Sequence, residues 1–249
     1  MTPPIPYRVV LKQLLTLWDG RLNAPSLMLR GDLAHAATPV VVRGLTSHAV
    51  AAARGALLLY EAKQPAAAMP LVRVVMEDAA TAVWLVREPE AWRSFLSEGE
   101  QKRAKALREI LGRDASPRVA ARLAMSEQHI QTLAKITDGT IQARMRTIDP
   151  AEELYTTYRL ASALIHAGPV VVDLYTGIDE RSEGGLAFRD HARFPLANEW
   201  LGTATEWLLH ALNAWDVCQT HHPDEIQLRD IGKRLGVWFD VRPALRSED

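Results

Sequence analysis

Helical periodicity dominates this chain of 249 residues, and the alternating, β-branched runs that predict strands are nearly absent. In segment after segment, apolar side chains recur every three or four residues, as they do along one face of a helix. Cap residues, prolines and glycines mark the helix ends, as at Thr38-Pro39 and Gly168-Pro169. The pattern therefore predicts an all-α fold: a single bundle of about seven to eight helices with short connections.

The same signals predict three parts of the chain. These are an N-terminal helix with an irregular lead-in over residues 1–37, the bundle over 38–220, and a short helix with a tail over 221–249. Within the bundle, a helix that starts after Asp149-Pro150 is predicted to run to about Ala167. The polar, glycine-containing region from Gly177 to Pro195 is predicted to be a long loop.

Composition and charge exclude several classes of protein. The formal net charge of −1 provides no overall field that attracts nucleic acid or a membrane. The one cysteine, Cys218, excludes an intramolecular disulfide and any cysteine-based zinc cluster. The N-terminus lacks the pattern of a signal peptide, and no apolar run is long enough to span a bilayer. We therefore expect a soluble, cytoplasmic protein without a membrane partner.

Motifs for common cofactors are missing from the sequence. There is no glycine-rich phosphate loop, no nucleophile elbow and no helical zinc-protease motif. His221 and His222 precede a proline in a connection between helices, and Asp224 follows that proline. Adjacent histidines before a proline in such a connection are usually polar loop residues and not metal ligands. We therefore expect no cofactor and no bound metal ion.

The segment from Leu71 to Val86 is apolar nearly all round, which is typical of a helix at the centre of a bundle. It nevertheless carries Arg73 and Glu77, which are four residues apart and so share a face. A buried charge without a partner costs several kcal/mol, so both side chains need partners. Two alternatives remain open: the two residues pair with each other, or one of them reaches a neighbouring helix.

A second unusual helix covers residues 151–166. At 100° per residue, four of its polar side chains share a sector roughly 60° wide between apolar sectors. These are Tyr155, Arg159, Ser162 and His166. A face exposed to solvent is normally wider and richer in glutamate and lysine, so the stripe indicates a site, an interface or a buried network.

The order of these features resembles a known family. The pattern comprises Leu71-Val-Arg73 with Glu77, then Trp84-Leu85, a charged helix, and finally Tyr158-Arg159-Leu-Ala-Ser162-Ala-Leu-Ile-His166. Over about residues 40–220 it resembles an uncharacterised bacterial all-helical family of unknown function near the HEPN superfamily. HEPN proteins are helical bundles, often dimeric, and many are metal-independent ribonucleases of toxin or phage-defence systems. Their motif is an arginine and a histidine separated by four to six residues, which Arg159 and His166 match.

Other pairs have a permitted spacing as well, namely Arg30 with His35, Arg43 with His48, and Arg122 with His129. With so many arginines in the chain, the spacing alone is a weak signal. The Arg159/His166 pair is distinguished by its context, because a seven-residue step returns to the same face of a largely apolar helix.

The resemblance implies that Arg159 and His166 are catalytic and that Tyr155, Ser162, Arg73 and Glu77 support them. His166 would act as general base or acid and Arg159 would hold the phosphate while a 2′-hydroxyl of the RNA attacks it. It also implies a homodimer, RNA as the substrate, and a cognate antitoxin or regulatory protein as a partner. Two alternatives remain. The domain could be a non-catalytic dimerisation or interaction module, and His166 could be a core histidine bonded to Ser162 or Glu77.

Overall fold

The computed structural model describes residues 6–22, 37–88, 90–113, 116–133, 139–179, 184–238 and 240–242. Within these ranges it confirms the all-α fold, and none of the described helices is long and apolar enough to cross a membrane. The described α-helices are α1 (Tyr7–Leu22), α2 (Ala37–Glu61), α3 (Met69–Arg87), α4 (Ala91–Leu111), α5 (Pro117–Thr132), α6 (Ile141–Arg146), α7 (Glu153–Ala163), α8 (Pro169–Tyr175), α9 (Ala197–Val217) and α10 (Glu225–Leu235). A 3₁₀ turn (Ala66–Ala68) precedes α3, and two short strands, β1 (Thr176–Ile178) and β2 (Leu186–Phe188), pair antiparallel.

Helices α2, α3 and α9 pack against one another and form the centre of the bundle. The second half of α3, from Asp78 to Val86, is buried all round, as its continuous apolar sequence predicts. Helix α9 is also buried along most of its length, and Trp200, Trp207 and Trp215 all lie in the core. Helices α1 and α10 also pack against α9.

The approach of α1 to α9 depends on one small residue. Gly202 of α9 faces the ring of Tyr7 of α1, and a Cβ atom at position 202 would lie 2.8 Å from ring carbons of Tyr7. Such a contact is shorter than packed carbons tolerate, so a larger residue at 202 would have to displace the Tyr7 ring. Helix α1 ends at Leu22, within the N-terminal part predicted over residues 1–37.

Helix α7 is shorter than predicted, because it ends at Ala163 instead of about Ala167. Its last turn tightens: the amide of Leu164 donates to both Leu160 and Ala161, and Ile165 donates to Ser162. The chain then unwinds to reach the extended Gly168, which precedes Pro169 at the start of α8. His166 therefore lies in the connection between α7 and α8, outside the helix.

The region from Gly177 to Pro195 is not simply a loop, since it contributes most of the β1–β2 hairpin. Each strand has only three residues, which is too short for a period of two to be recognised. Helix α6 was missed for the same reason, because its six residues span less than two turns. Residues 23–36, which belong to the predicted irregular lead-in, lie outside the described residues.

Candidate functional site

A hydrogen-bonded network of Arg73, Glu77 and Tyr158 joins α3 to α7. The Tyr158 hydroxyl accepts from Arg73 Nη2 at 2.7 Å and from Nε at 3.2 Å, and it donates to Glu77 Oε1 at 2.7 Å. Arg73 Nη2 also lies 2.9 Å from Glu77 Oε1. Both sequence alternatives are therefore correct: the two charged residues pair with each other, and both contact a neighbouring helix.

Aromatic contacts hold the same network in place. Tyr158 is only 8% exposed, and the Arg73 guanidinium carbon lies 5.1 Å from the centre of its ring. Tyr155 stacks on Tyr158 with 6.1 Å between ring centroids. Burial raises the pKa of the Tyr158 hydroxyl, and its hydrogen bond to Glu77 raises that pKa further. The hydroxyl therefore keeps its proton at neutral pH and can remain the donor to Glu77.

We expect Tyr158→Phe to lower the free energy of unfolding by about 1–2 kcal/mol. The substitution keeps the buried ring but removes the hydroxyl that links Arg73 to Glu77, while the ion pair between those two residues persists. Tyr155→Phe is the matched control, because it keeps the stacked ring one turn away. Chemical denaturation of both variants measures the effect, and equal stability of the two would show that the Tyr158 hydroxyl does not fasten α7 to α3.

The remaining residues of the polar stripe differ in their exposure. Tyr155 and Ser162 are half-buried, whereas Arg159 and His166 are exposed. Ser162 Oγ donates to the backbone carbonyl of Tyr158 at 3.0 Å, so this hydroxyl bonds within its own helix. The alternative that His166 is a core histidine is wrong, because its side chain is at the surface.

Only three of the four residues of the polar stripe share a face of α7. Tyr155, Arg159 and Ser162 lie on one flank of α7. His166 follows the end of the helix, so the seven-residue step from Arg159 does not place it by helical geometry. The two side chains are instead exposed at the same end of α7, one in its last two turns and one in the connection that follows.

The other pairs with a permitted spacing have different surroundings where the structure describes them. Arg43 packs its guanidinium carbon 3.9 Å from the centre of the Trp18 ring, and its burial lowers its pKa. Arg122 and His129 are both exposed on α5. Arg30 and His35 lie outside the described residues.

A second polar arrangement, which was not predicted from the sequence, consists of Asp78 and His48. Asp78 is only 8% exposed on α3, and its Oδ2 lies 2.8 Å from Nδ1 of His48 on α2. Burial raises the pKa of Asp78 to about 6, while His48 acts in the opposite direction and Glu77 adds to the increase. The His48 side chain itself is 65% exposed. A buried carboxylate at Nδ1 fixes the orientation of an imidazole that remains in contact with solvent.

The signal for Asp78 was present in the sequence. Asp78 follows Glu77 directly in the same apolar helix, so the argument that a buried charge needs a partner applied to it as well. Its partner could not be identified, because His48 lies on α2 and the pairing depends on how α2 packs against α3. The two networks thus occupy consecutive residues of α3, and one faces α7 while the other faces α2.

Among the residues that the structure describes, no group of three or more histidine, cysteine, aspartate or glutamate side chains is placed to hold a metal ion. Asp224 is bound by Arg21, whose Nε lies 2.8 Å from Oδ1 and 2.9 Å from Oδ2. His222 Nδ1 lies 3.1 Å from the carbonyl oxygen of Asp216. These contacts hold the connection between α9 and α10 in place.

Comparison with known proteins gives a match to a family model. The model of a family described as a family of unknown function (DUF5677) matches residues 40–184, more than half of the chain. The matched segment contains both polar networks together with Arg159 and His166. No curated protein and no solved structure matches the chain.

Proposed function

The chain belongs to the DUF5677 family, whose function is unknown, and we propose that it is a HEPN-like, metal-independent endoribonuclease of the toxin or phage-defence type. The observation that carries the proposal is the exposure of Arg159 and His166 at the end of α7, which Tyr158 fastens to α3. A polymer such as RNA can contact only exposed side chains. An exposed arginine supplies a phosphate ligand, and an exposed histidine supplies a proton-transfer group.

The chemistry needs only the RNA itself and these two side chains. The 2′-oxygen of a ribose attacks the adjacent phosphorus, forming a 2′-O–P bond and breaking the bond from phosphorus to the 5′-oxygen. His166 either takes the proton of the 2′-hydroxyl as general base or gives a proton to the leaving 5′-oxygen as general acid, and solvent water carries the other of these two protons. Arg159 binds the phosphate and stabilises the charge that develops on its oxygens. The products are a 2′,3′-cyclic phosphate and a 5′-hydroxyl end.

The supporting residues act through position. Arg73 and Glu77 hold Tyr158, Tyr155 stacks on that ring, and Ser162 bonds within α7, so the helix that carries Arg159 is fixed against the core. The proposal includes a homodimer and a cognate antitoxin or regulatory protein, as the family resemblance implies.

Growth on induced expression tests the proposal in cells. We expect the wild-type protein to stop growth and both His166→Ala and Arg159→Ala to be tolerated at equal expression. Arg122→Ala and His129→Ala are matched controls, because they alter an exposed pair with the same spacing on α5. These two variants should stop growth as the wild type does. Normal growth with the wild-type protein at high expression would contradict the proposal.

A second candidate function is a non-catalytic interaction module, and one specific observation favours it. Helix α8 and the β1–β2 hairpin expose large apolar side chains outside the core, which is typical of a surface that binds protein. Intact RNA in the presence of the purified protein, combined with stable association through this surface, would favour the module over the ribonuclease.

A further inference from the structure

His48 and Asp78 form a pair that the proposed cleavage of RNA does not use. Nδ1 of His48 on α2 lies 2.8 Å from Oδ2 of Asp78 on α3. Asp78 is only 8% exposed, whereas the side chain of His48 is 65% exposed. A buried carboxylate therefore lies beneath an imidazole ring that is mostly open to solvent.

The ionised carboxylate of Asp78 costs stability. Burial disfavours its charge and raises its pKa, and the negative charge of Glu77 acts in the same direction. No arginine or lysine among the described residues forms an ion pair with this carboxylate, whose partner within ion-pair distance is His48. The carboxylate thus weakens the fold at neutral pH, and its effect falls on His48.

The carboxylate determines which ring nitrogen of His48 carries the proton. Two lone pairs only 2.8 Å apart would repel each other, so a proton lies between Nδ1 of His48 and Oδ2 of Asp78. At neutral pH, above the pKa of about 6 that burial gives Asp78, the carboxyl group is ionised and this proton belongs to Nδ1. Nε2 of the neutral ring then has a free lone pair, as a base or a nucleophile requires.

The surface beside His48 is open to another molecule. Gly44 and Ala51, which lie one turn away on either side along α2, are small and exposed. A Cβ atom built at Gly44 has no packing neighbour within 4 Å. An electrophile can therefore approach the imidazole along this side of α2.

We propose that His48 is a nucleophile, held in its reactive form by Asp78, that accepts an acyl group at Nε2 from an activated ester and passes it to water. Nε2 attacks the carbonyl carbon and forms a carbon–nitrogen bond, while the bond from that carbon to the leaving oxygen breaks and the oxygen keeps the electron pair. Water then adds its oxygen to the same carbon, the carbon–nitrogen bond breaks and returns its electron pair to Nε2, and a proton of the water goes to solvent. Asp78 contacts only the ring, so it is a positioning residue that also stabilises the positive charge of the acylated imidazole.

The charges near His48 favour a neutral acyl group over a phosphoryl group. The carboxylate of Asp78 lies against the ring, and Glu77 is close enough to Asp78 to raise its pKa. A phosphoryl donor carries negative charge, which these carboxylates repel, whereas the carbonyl group of an ester carries none. The inference is independent of the proposed ribonuclease, because it uses neither Arg159 nor His166.

Modification of the folded wild-type protein with diethyl pyrocarbonate, which transfers an ethoxycarbonyl group to imidazole nitrogen, tests the reactivity of His48. His129 of α5 is the internal control, because its side chain is 56% exposed and its Nδ1 lies 3.9 Å from Oε1 of Glu100. We expect His48 to react at least about 10-fold faster than His129, as measured by peptide mass mapping over time. Equal rates at the two histidines would overturn the proposal without the use of any variant.

Hydrolysis of p-nitrophenyl acetate measures the complete reaction. We expect His48→Gln to lose the rate that the protein adds to that of buffer, Asp78→Asn to lower it by at least about 10-fold, and His129→Gln to keep it. Asparagine removes the buried charge, so Asp78→Asn should be at least as stable as the wild type at neutral pH, and its slower reaction cannot result from unfolding.

The position of the proton separates a positioning role of Asp78 from a purely structural one. Two-bond proton–nitrogen correlation spectra should show the proton of neutral His48 on Nδ1 in the wild type and on Nε2 in Asp78→Asn. A wild type that hydrolyses the ester no faster than His48→Gln, or Asp78→Asn with the activity and the Nδ1 proton of the wild type, would overturn the proposal.

Discussion

His166→Ala is expected to lower the rate of RNA cleavage by about 10²–10⁴-fold, the usual contribution of a general acid or base. Arg159→Ala is expected to lower it by about 10²–10³-fold, because it removes the charge that stabilises the phosphate oxygens in the transition state. Both side chains are exposed, so their loss should leave the fold intact. Single-turnover cleavage of a short RNA with a defined sequence measures both effects.

The matched control for this first prediction is the double variant Arg122→Ala/His129→Ala. It removes the same two residue types at the same spacing from α5. It therefore tests whether the loss of cleavage is caused by the residues at the end of α7 or by the change in net charge. Cleavage by the control should equal that of the wild type. If His166→Ala lost much less than about 10²-fold of the wild-type rate, the smallest usual contribution of a general acid or base, His166 would not be a catalytic residue.

Between about pH 4 and pH 6, the ionisation of Asp78 is expected to lower the free energy of unfolding of the wild type by about 2–3 kcal/mol. In Asp78→Asn this decrease is expected to be absent. The pKa of Asp78 is raised by burial from 3.8 to about 6. As the pH rises, the unfolded chain therefore loses this proton first, and the folded chain must later carry a buried carboxylate. The stability that protonated Asp78 contributes is fully present below its ordinary pKa of 3.8, and it is lost as the pH rises through the folded-state pKa of about 6. Asparagine cannot ionise, so relative to the wild type the variant gains stability over this range.

Denaturation followed by tryptophan fluorescence at several pH values measures the difference between wild type and Asp78→Asn. His48→Gln provides the complementary test, because His48 acts to lower the pKa of Asp78. Without the imidazole, that pKa should rise further and the loss of stability should extend to higher pH. Parallel stability curves for the wild type and Asp78→Asn from pH 4 to pH 7 would contradict the assignment of a costly buried carboxylate.

Features that depend on long periodic segments could be predicted from the sequence. Helix α3 is apolar nearly all round, and it lies at the centre of the bundle. The tryptophans of α9 repeat at helical spacing, and they lie in the core. Local chemistry also sufficed for Pro169, which starts α8. In each case the physical cause acts within one element, and a single sequence contains that information.

Features that depend on the packing of separate elements could not be predicted. The sequence placed Arg73 and Glu77 on one face, but their bond to Tyr158 depends on where α7 lies on α3. The contact between His48 and Asp78 likewise requires the arrangement of α2 and α3. The position of His166 was assigned wrongly, because the helix unwinds ahead of Gly168 and Pro169 earlier than the apolar periodicity suggests.

The most direct test of the proposed function is incubation of the purified wild-type protein with tRNA and mRNA in the presence of EDTA. The proposal predicts cleavage that persists without divalent metal ions, fragments that end in 2′,3′-cyclic phosphate, and no cleavage by His166→Ala. Intact tRNA and mRNA after incubation with folded wild-type protein would contradict it and leave the interaction module as the function that the structure supports.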